Sequence, residues 1–249
     1  DDEFVVLYVP RNREVGEFIR RARTASNRPR VRPAPPATAT PPEAPVPPVI
    51  IADRFAVKPK IEALAVSKGE RLCTNEDPIR NTAFSWSHMT AADISDKTGI
   101  ESRIYTERDL DELALIAAIG ALEGAGRRPE EIGAVLFCSC TSTRMLPSVS
   151  TWLSGQLGMF QTHVSFDLVA ACAGFPYGIG EATRILQDIN RPVLLVCAEK
   201  FSDKIGSVRP SRMIFGDGAA ALVIGPAPEG EAGDVEVVQT YASGPASQV

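Results

Sequence analysis

Three observations predict an α/β layered fold for this chain. From about Lys58 onward, strand-like apolar runs alternate with helical patterns of comparable length. Residues 192–198 are apolar almost without interruption, as expected for a central strand covered on both faces. An alternating run (Val164, Phe166, Leu168) leads into a helical pattern through Ile179, Ala182, Ile185, Leu186 and Ile189, with Cys172 at the junction.

Residues 4–9 read as a strand, and residues 13–25 as a basic helix with Val15, Phe18 and Ile19 on one side. One strand and one helix cannot bury a core. Residues 1–28 are therefore expected to be the tail of a preceding module or a docking arm, and the opening Asp suggests a piece of a longer chain. Residues 29–57 are expected to form a linker, because the Pro- and Ala-rich run at 29–48 favours extended polyproline conformations.

Residues 61–66 then read as a strand and residues 67–78 as a polar, turn-forming stretch; residues 81–96 show no decisive pattern. Asp109 or Asp111 can cap a helix through Leu113, Ile116, Ala117, Ile119, Ala121 and Leu122, ended by Gly124 and Gly126. Residues 132–138 form a buried strand, and residues 147–157 open a short helix capped by Ser148. After the helix that follows Cys172 and the central strand come a glycine turn at 215–219, an apolar strand at 220–225 and an alternating strand at 235–241.

The position of Cys172 is chemically suggestive. Free backbone N–H groups and the positive end of a helix dipole favour a thiolate at a helix start, which makes the sulfur a nucleophile if it can be reached. A buried structural cysteine is the alternative. Gly174, Gly178 and Gly180 each cost the following helix about 1 kcal/mol relative to alanine, which points to another backbone approaching closely.

Composition narrows the classes of function. A net charge of -5 argues against nucleic acid or an anionic membrane as the main partner. There is no apolar run of membrane-spanning length and no signal peptide. The 5 cysteines are odd in number and scattered, which suits a reducing, cytoplasmic location. Cys138 and Cys140 form a C-x-C pair, but no further Cys or His stands at metal spacing, so no metal site is assigned. The only 2 histidines, His88 and His163, both precede Cys172.

Four stretches, in this order and spacing, resemble the front half of the 3-oxoacyl-[acyl-carrier-protein] synthase III family of the thiolase superfamily. They are KTGIESR at 97–103, TSTRMLPS at 141–148, DLVAACAGF at 167–175 and FGDGA at 215–219. The resemblance covers residues 58–249, expected to be the N-terminal half of a thiolase-like αβαβα fold. It implies that a helix of the second half packs against the three glycines. It also implies that Cys172 is acylated by a thioester of coenzyme A or acyl carrier protein, with no bound cofactor. A malonyl-type extender would then lose carbon dioxide and attack the acyl carbonyl, in fatty-acid or polyketide-type biosynthesis.

The family's catalytic His and Asn lie in the second half, so a second chain or segment is expected to supply them. His88 and His163 match no family motif. Asp93 and Lys97 stand where the family often has a Trp and an Arg gripping coenzyme A, which favours a carrier-protein-bound donor. The substrate-binding candidates are Leu146, Phe175, Lys204 and Arg209, the last two for a phosphopantetheine phosphate. Asp217 is expected to order its turn, and Arg144 and Trp152 to be structural. The family dimerises through the sheet of this half, with Leu146 placed to reach the partner's acyl pocket. The alternatives are acyl transfer from Cys172 without decarboxylation, or a non-catalytic partner half of a synthase heterodimer.

Overall fold

The structure is a computed structural model that describes residues 49–50, 55–80, 90–204 and 213–240. All of these belong to one compact unit, Pro48–Thr240. A second unit, Asp1–Pro47 with Tyr241–Val249, lies outside the described residues, as do the expected arm at 1–28, the proline-rich run at 29–48, His88 and Arg209.

The chain opens with strands β1 (Val49–Ile50), β2 (Pro59–Lys68) and β3 (Arg71–Thr74), followed by helices α1 (Glu76–Arg80) and α2 (Ala91–Thr98). Next come β4 (Ser102–Tyr105), helix α3 (Leu110–Ala125), β5 (Ala134–Cys138), α4 (Val149–Gln156) and β6 (Val164–Leu168). The last elements are α5 (Gly174–Ile189), β7 (Val193–Lys200), α6 (Phe201–Lys204), β8 (Asp217–Pro226) and β9 (Gln239–Thr240). No helix among the described residues is long and apolar enough to cross a membrane.

Five strands form the main sheet in the order β2-β8-β7-β5-β6. β5 runs parallel to both β6 and β7, while β8 is antiparallel to β7 and β2. The apolar run at 192–198 becomes the middle strand, as its composition predicts. Its side chains alternate: Leu194, Val196 and Ala198 join the core under α3 and α4, and Leu195 and Cys197 face α5. The result is a three-layered αβα half, with helices on both faces of one sheet.

Helix α3 lies close over β2 because its own glycines allow it. A Cβ on Gly120 would stand 3.0 Å from that of Ala65, and one on Gly124 3.3 Å from that of Ala63. Asp109 precedes α3 without a side-chain capping bond, and Gly126 ends it with a φ of 62°. Ser148 caps α4 as expected, accepting from the Thr151 N–H.

Four expectations change. Residues 67–78 are more than a turn: Arg71–Thr74 pairs antiparallel with Ser102–Tyr105 in a separate two-stranded sheet, and α1 follows. These strands alternate weakly and are short, so periodicity does not reveal them. In FGDGA, β8 already begins at Asp217, because Gly218 pairs opposite Lys68 and Glu199. Of the strand expected at 235–241, only Gln239–Thr240 is a strand, paired with Val49–Ile50; Tyr241 lies outside the described residues.

The fourth change concerns the glycines of α5, which face this half's own interior. A Cβ on Gly174 would stand 3.5 Å from the Cys138 Cβ, and one on Gly178 would stand 2.6 Å from Leu195 Cδ1 and 2.9 Å from Cys138 Sγ. Gly180 meets Val238 Cγ1 at 3.1 Å. The close approach predicted from sequence is real, but it is between α5 and strands β5 and β7. The apolar surface left open lies instead on the sheet, where Leu64 and Val66 of β2 are 59% and 60% exposed.

This packing makes the glycines unequal. Gly178→Ala is expected to destabilise the fold by about 1–3 kcal/mol, because a methyl group has no room against two strand side chains. Gly180→Ala meets only a loop side chain and gains about 1 kcal/mol of helix propensity, so it is expected to be neutral or stabilising. Urea unfolding of the two variants, monitored by circular dichroism, checks the order; equal midpoints would contradict it.

Candidate active site

Cys172 sits where the sequence places it, in a 3-10 turn (Ala171–Ala173) between β6 and α5. The turn is closed by a bond from the Ala173 N–H to the Ala170 carbonyl, 2.9 Å. Ala171 has a φ of 45°, in the left-handed region that costs a non-glycine residue about 1–2 kcal/mol. This tight corner aims Cys172 outward, and its side chain is exposed.

The sulfur opens into a cleft of about 400 Å³ whose walls include Val66, Cys138, Phe175, Cys197 and Glu199. Phe175, one helical residue past the turn, is 43% exposed at its rim. The floor is predominantly apolar, suiting a carbon chain, with one carboxylate at its edge. Glu199 is anchored there, accepting from the Cys140 N–H at 2.8 Å, the Ser139 hydroxyl at 3.3 Å and the Thr141 hydroxyl at 2.5 Å. It thereby ties the loop after β5 to the end of β7.

Two further carboxylates brace the loops around this end of the sheet. Asp167, in the stretch leading to Cys172, accepts from the N–H groups of Val149 and Ser150 at 2.8 and 2.9 Å, holding the start of α4 and the Pro-Ser loop before it. Asp217 orders its turn as expected, accepting from the N–H of Thr106 and from both the N–H and hydroxyl of Ser202. Phe201 and Phe215 stack at 4.2 Å across the same corner.

The structure brings Cys172 and Phe175 together but not the other candidates. Leu146 is 91% exposed and Met145 86%, and neither lines the cleft of its own chain. They are not core residues. Lys204 lines a separate cavity of about 440 Å³ with Arg144, Trp152, Lys200 and Asp109. That cavity lies on the α3–α4 side of the sheet, because Lys200 continues the alternation of Val196 and Ala198. Within it, Arg144 pairs with Asp111 at 2.7 Å and lies over the Trp152 ring, a structural arrangement. Arg209 lies outside the described residues. Asp93 caps α2, accepting from the Thr90 N–H and hydroxyl at 2.8 Å, and these bonds hold its carboxyl below the usual range. His163 sits beside Phe160 and Arg191, away from the Cys172 cleft.

Sequence reasoning missed Glu199, Cys138 and Cys197 as cleft residues. Nothing local signals Glu199, whose partners are about sixty residues away in the chain. The two cysteines could have been found by aligning the two parallel strands, in which Cys138 and Cys197 are directly opposite.

The family described as 3-oxoacyl-[acyl-carrier-protein (ACP)] synthase III matches residues 166–244, the stretch that carries Cys172 and most of the residues lining its cleft. Over that stretch, the chain is similar to the synthase III family. Among curated synthase III proteins, that of Geobacillus kaustophilus (strain HTA426) is 34% identical over 167 residues, covering 65% of this chain and 51% of the relative. Synthase III 2 of Vibrio cholerae serotype O1 (strain ATCC 39315 / El Tor Inaba N16961) is 35% identical over 133 residues, 53% of this chain and 36% of the relative. Among solved structures, synthase III of Aquifex aeolicus VF5 superposes with a TM-score of 0.60 at 30% identity, covering 69% of this chain and 54% of that one. A priming β-ketosynthase of the R1128 polyketide pathway gives 0.62 at 29% identity, over 75% and 53%. The chain thus spans about half the length, or less, of the synthase III proteins it matches, and its fold is half of a thiolase fold.

The electrostatics distinguish the exposed thiols. Partial burial of the Cys140 sulfur, together with the Glu199 carboxylate beside it, pushes its thiol up to about 11. At pH 8 it should therefore carry roughly a hundredfold less thiolate than a free cysteine, and alkylate correspondingly slowly despite its exposure. The rate should climb as pH rises toward 11. Peptide-resolved iodoacetamide kinetics between pH 7 and 10 measure this; ordinary reactivity of Cys140 at pH 8 would contradict it.

Proposed function

We propose that this chain is the nucleophile-bearing half of an acyl-thioester condensing enzyme. The observation that carries the reading is the exposed Cys172 on a strained corner, opening into an apolar cleft, within the stretch that matches synthase III. The Cys172 sulfur attacks the carbonyl carbon of an acyl thioester and the thiol of coenzyme A or carrier protein leaves, giving an acyl-Cys intermediate. The Cys172 backbone N–H serves as one donor to the tetrahedral oxyanion, a contribution commonly worth about 3 kcal/mol. The acyl chain lies against Val66 and Phe175. A carbanion from a decarboxylating extender then attacks the acyl carbon and releases Cys172.

The groups that decarboxylate the extender come from the other half of the fold, carried by another segment or chain. Its docking place is the uncovered sheet face at Leu64 and Val66, beside the cleft. Closing that side also excludes water from the thioester. The assembly is a dimer built along the β6 edge, where Phe160 is 98% and Val169 77% exposed. Leu146, standing free of its own cleft, reaches that of the partner and limits its depth.

Two experiments test this reading. Incubation of the native assembly with acyl-coenzyme A or acyl-carrier protein should add the acyl mass to the peptide spanning Cys172, and Cys172→Ala should abolish it. Labelling that persists in that variant, or maps to Cys140, removes the reading.

Leu146→Ala should favour longer acyl donors and Leu146→Phe shorter ones. Each methylene is worth roughly 1 kcal/mol, so a two-carbon shift should change relative kcat/KM by about tenfold or more. Unchanged chain-length profiles in folded, dimeric variants would place Leu146 outside the pocket.

A further inference from the structure

Three of the cysteines share the cleft, and the condensation chemistry uses only one. Cys138 ends β5 and Cys197 lies on β7, directly opposite each other in the parallel register. Both belong to the core on the α5 face, and both line the cleft into which Cys172 opens. Their accessibility is graded: Cys172 is exposed, Cys197 half-buried and Cys138 buried. Gly178 leaves room for the Cys138 sulfur, since a Cβ there would come within 2.9 Å of it. Facing residues on paired strands have Cα separations in the range a disulfide spans.

We propose that Cys138 and Cys197 are a redox-active dithiol that takes over oxidising equivalents from Cys172 and restores it as a free thiol. The oxidant is a hydroperoxide, and it meets the exposed Cys172 first. Cys172–SH and ROOH give Cys172–SOH and ROH. The Cys197 sulfur then attacks the sulfenic sulfur, forming the Cys172–Cys197 disulfide, and water leaves with the Cys197 proton. Finally the Cys138 sulfur attacks that of Cys197. The Cys172 sulfur departs and recovers a proton, and the Cys138–Cys197 disulfide remains. The sum is two thiols and one hydroperoxide giving one disulfide, one alcohol and one water.

The order of the last two steps follows accessibility, and the electrostatics favour Cys138 for the final attack. Interaction between the two neighbouring thiols holds Cys138 below the usual thiol range against the cost of burial and pushes Cys197 above it. Cys138 is therefore the thiol of the pair better suited to the terminal attack. Cys140 is a poor competitor. It stands near enough to Cys172 to feel its charge, but it does not line the cleft, and partial burial with the neighbouring Glu199 carboxylate keeps it protonated. The inference stands whether or not Cys172 ever carries an acyl group.

The test treats the full native protein with one equivalent of hydrogen peroxide, alkylates free thiols and maps disulfides by mass spectrometry. The expected product is a cross-link between the peptides carrying Cys138 and Cys197, reversible by dithiothreitol, with Cys172 still alkylatable. Cys138→Ser should stop at a Cys172–Cys197 disulfide. Cys197→Ser should lose both disulfides, and excess peroxide should then convert Cys172 to the sulfinic acid at least about tenfold faster than in the wild type. The wild-type map decides alone if a variant fails to fold. Absence of the Cys138–Cys197 cross-link, a disulfide from Cys172 to Cys140, or equal sulfinic acid formation in wild type and Cys197→Ser would each overturn the proposal.

Discussion

The close approach of α5 to strands β5 and β7 is the constraint on which the candidate site depends. At Gly178 the separation is too small for a single methyl group, with Leu195 and Cys138 filling the space. The helix can therefore neither rise from the sheet nor rotate without opening a void or a clash, since packed interiors tolerate neither cheaply. Because α5 is held there, its first turn is held too, and so is the corner at Ala171 that carries Cys172. The glycines weaken the helix in isolation and fix it in the fold. The chain accepts a local cost in helix propensity for a tertiary position accurate enough to place one sulfur.

The loops around that sulfur are secured differently, by three carboxylates. Asp167 at the end of β6, Glu199 near the end of β7 and Asp217 at the start of β8 all stand at one end of the sheet. Each gathers two or three donors from a segment remote in sequence. Hydrogen bonds to charged groups contribute about 1.5–3 kcal/mol each, enough to order a loop that has few apolar side chains to bury. Asp167 does this twice over, since it lies in the stretch that leads to Cys172 and also holds the start of α4. A loop that bears Leu146 is thus tied to the strand that leads to Cys172.

How far the sequence revealed this follows from the range of each interaction. The middle strand, the helix after Cys172, the Ser148 cap and the position of Cys172 itself are governed by local periodicity and capping, and they were legible. So was the synthase III resemblance, which is carried by short contiguous motifs. The β3–β4 pair was not, because four-residue strands leave no period to read and their partner is thirty residues away. The glycines of α5 signalled a close approach correctly, but not its partner, since periodicity says which face is small and not what lies on it. Lys204 was expected, with Arg209, to hold a phosphopantetheine phosphate. Strand alternation instead sends Lys200 to the other side of the sheet, where Lys204 joins it.

The same alternation explains why the cleft is incomplete. One face of the sheet carries α3 and α4, and its strand residues are buried from β2 to β5. The other face carries α5 alone, which covers β5 and β7 and leaves β2 largely open. Leu64 and Val66 are the kind of β-sheet residues that would be buried under a second helix, and Val66 is already a wall of the cleft. A thioester held there has apolar surface on one side and solvent on the other. Solvent contact weakens every charge interaction that would stabilise an oxyanion and leaves the acyl-sulfur bond open to hydrolysis. On the proposed function, covering β2 would do two things at once, burying the open apolar face and drying the site, so that stability and acyl transfer would draw on the same buried surface.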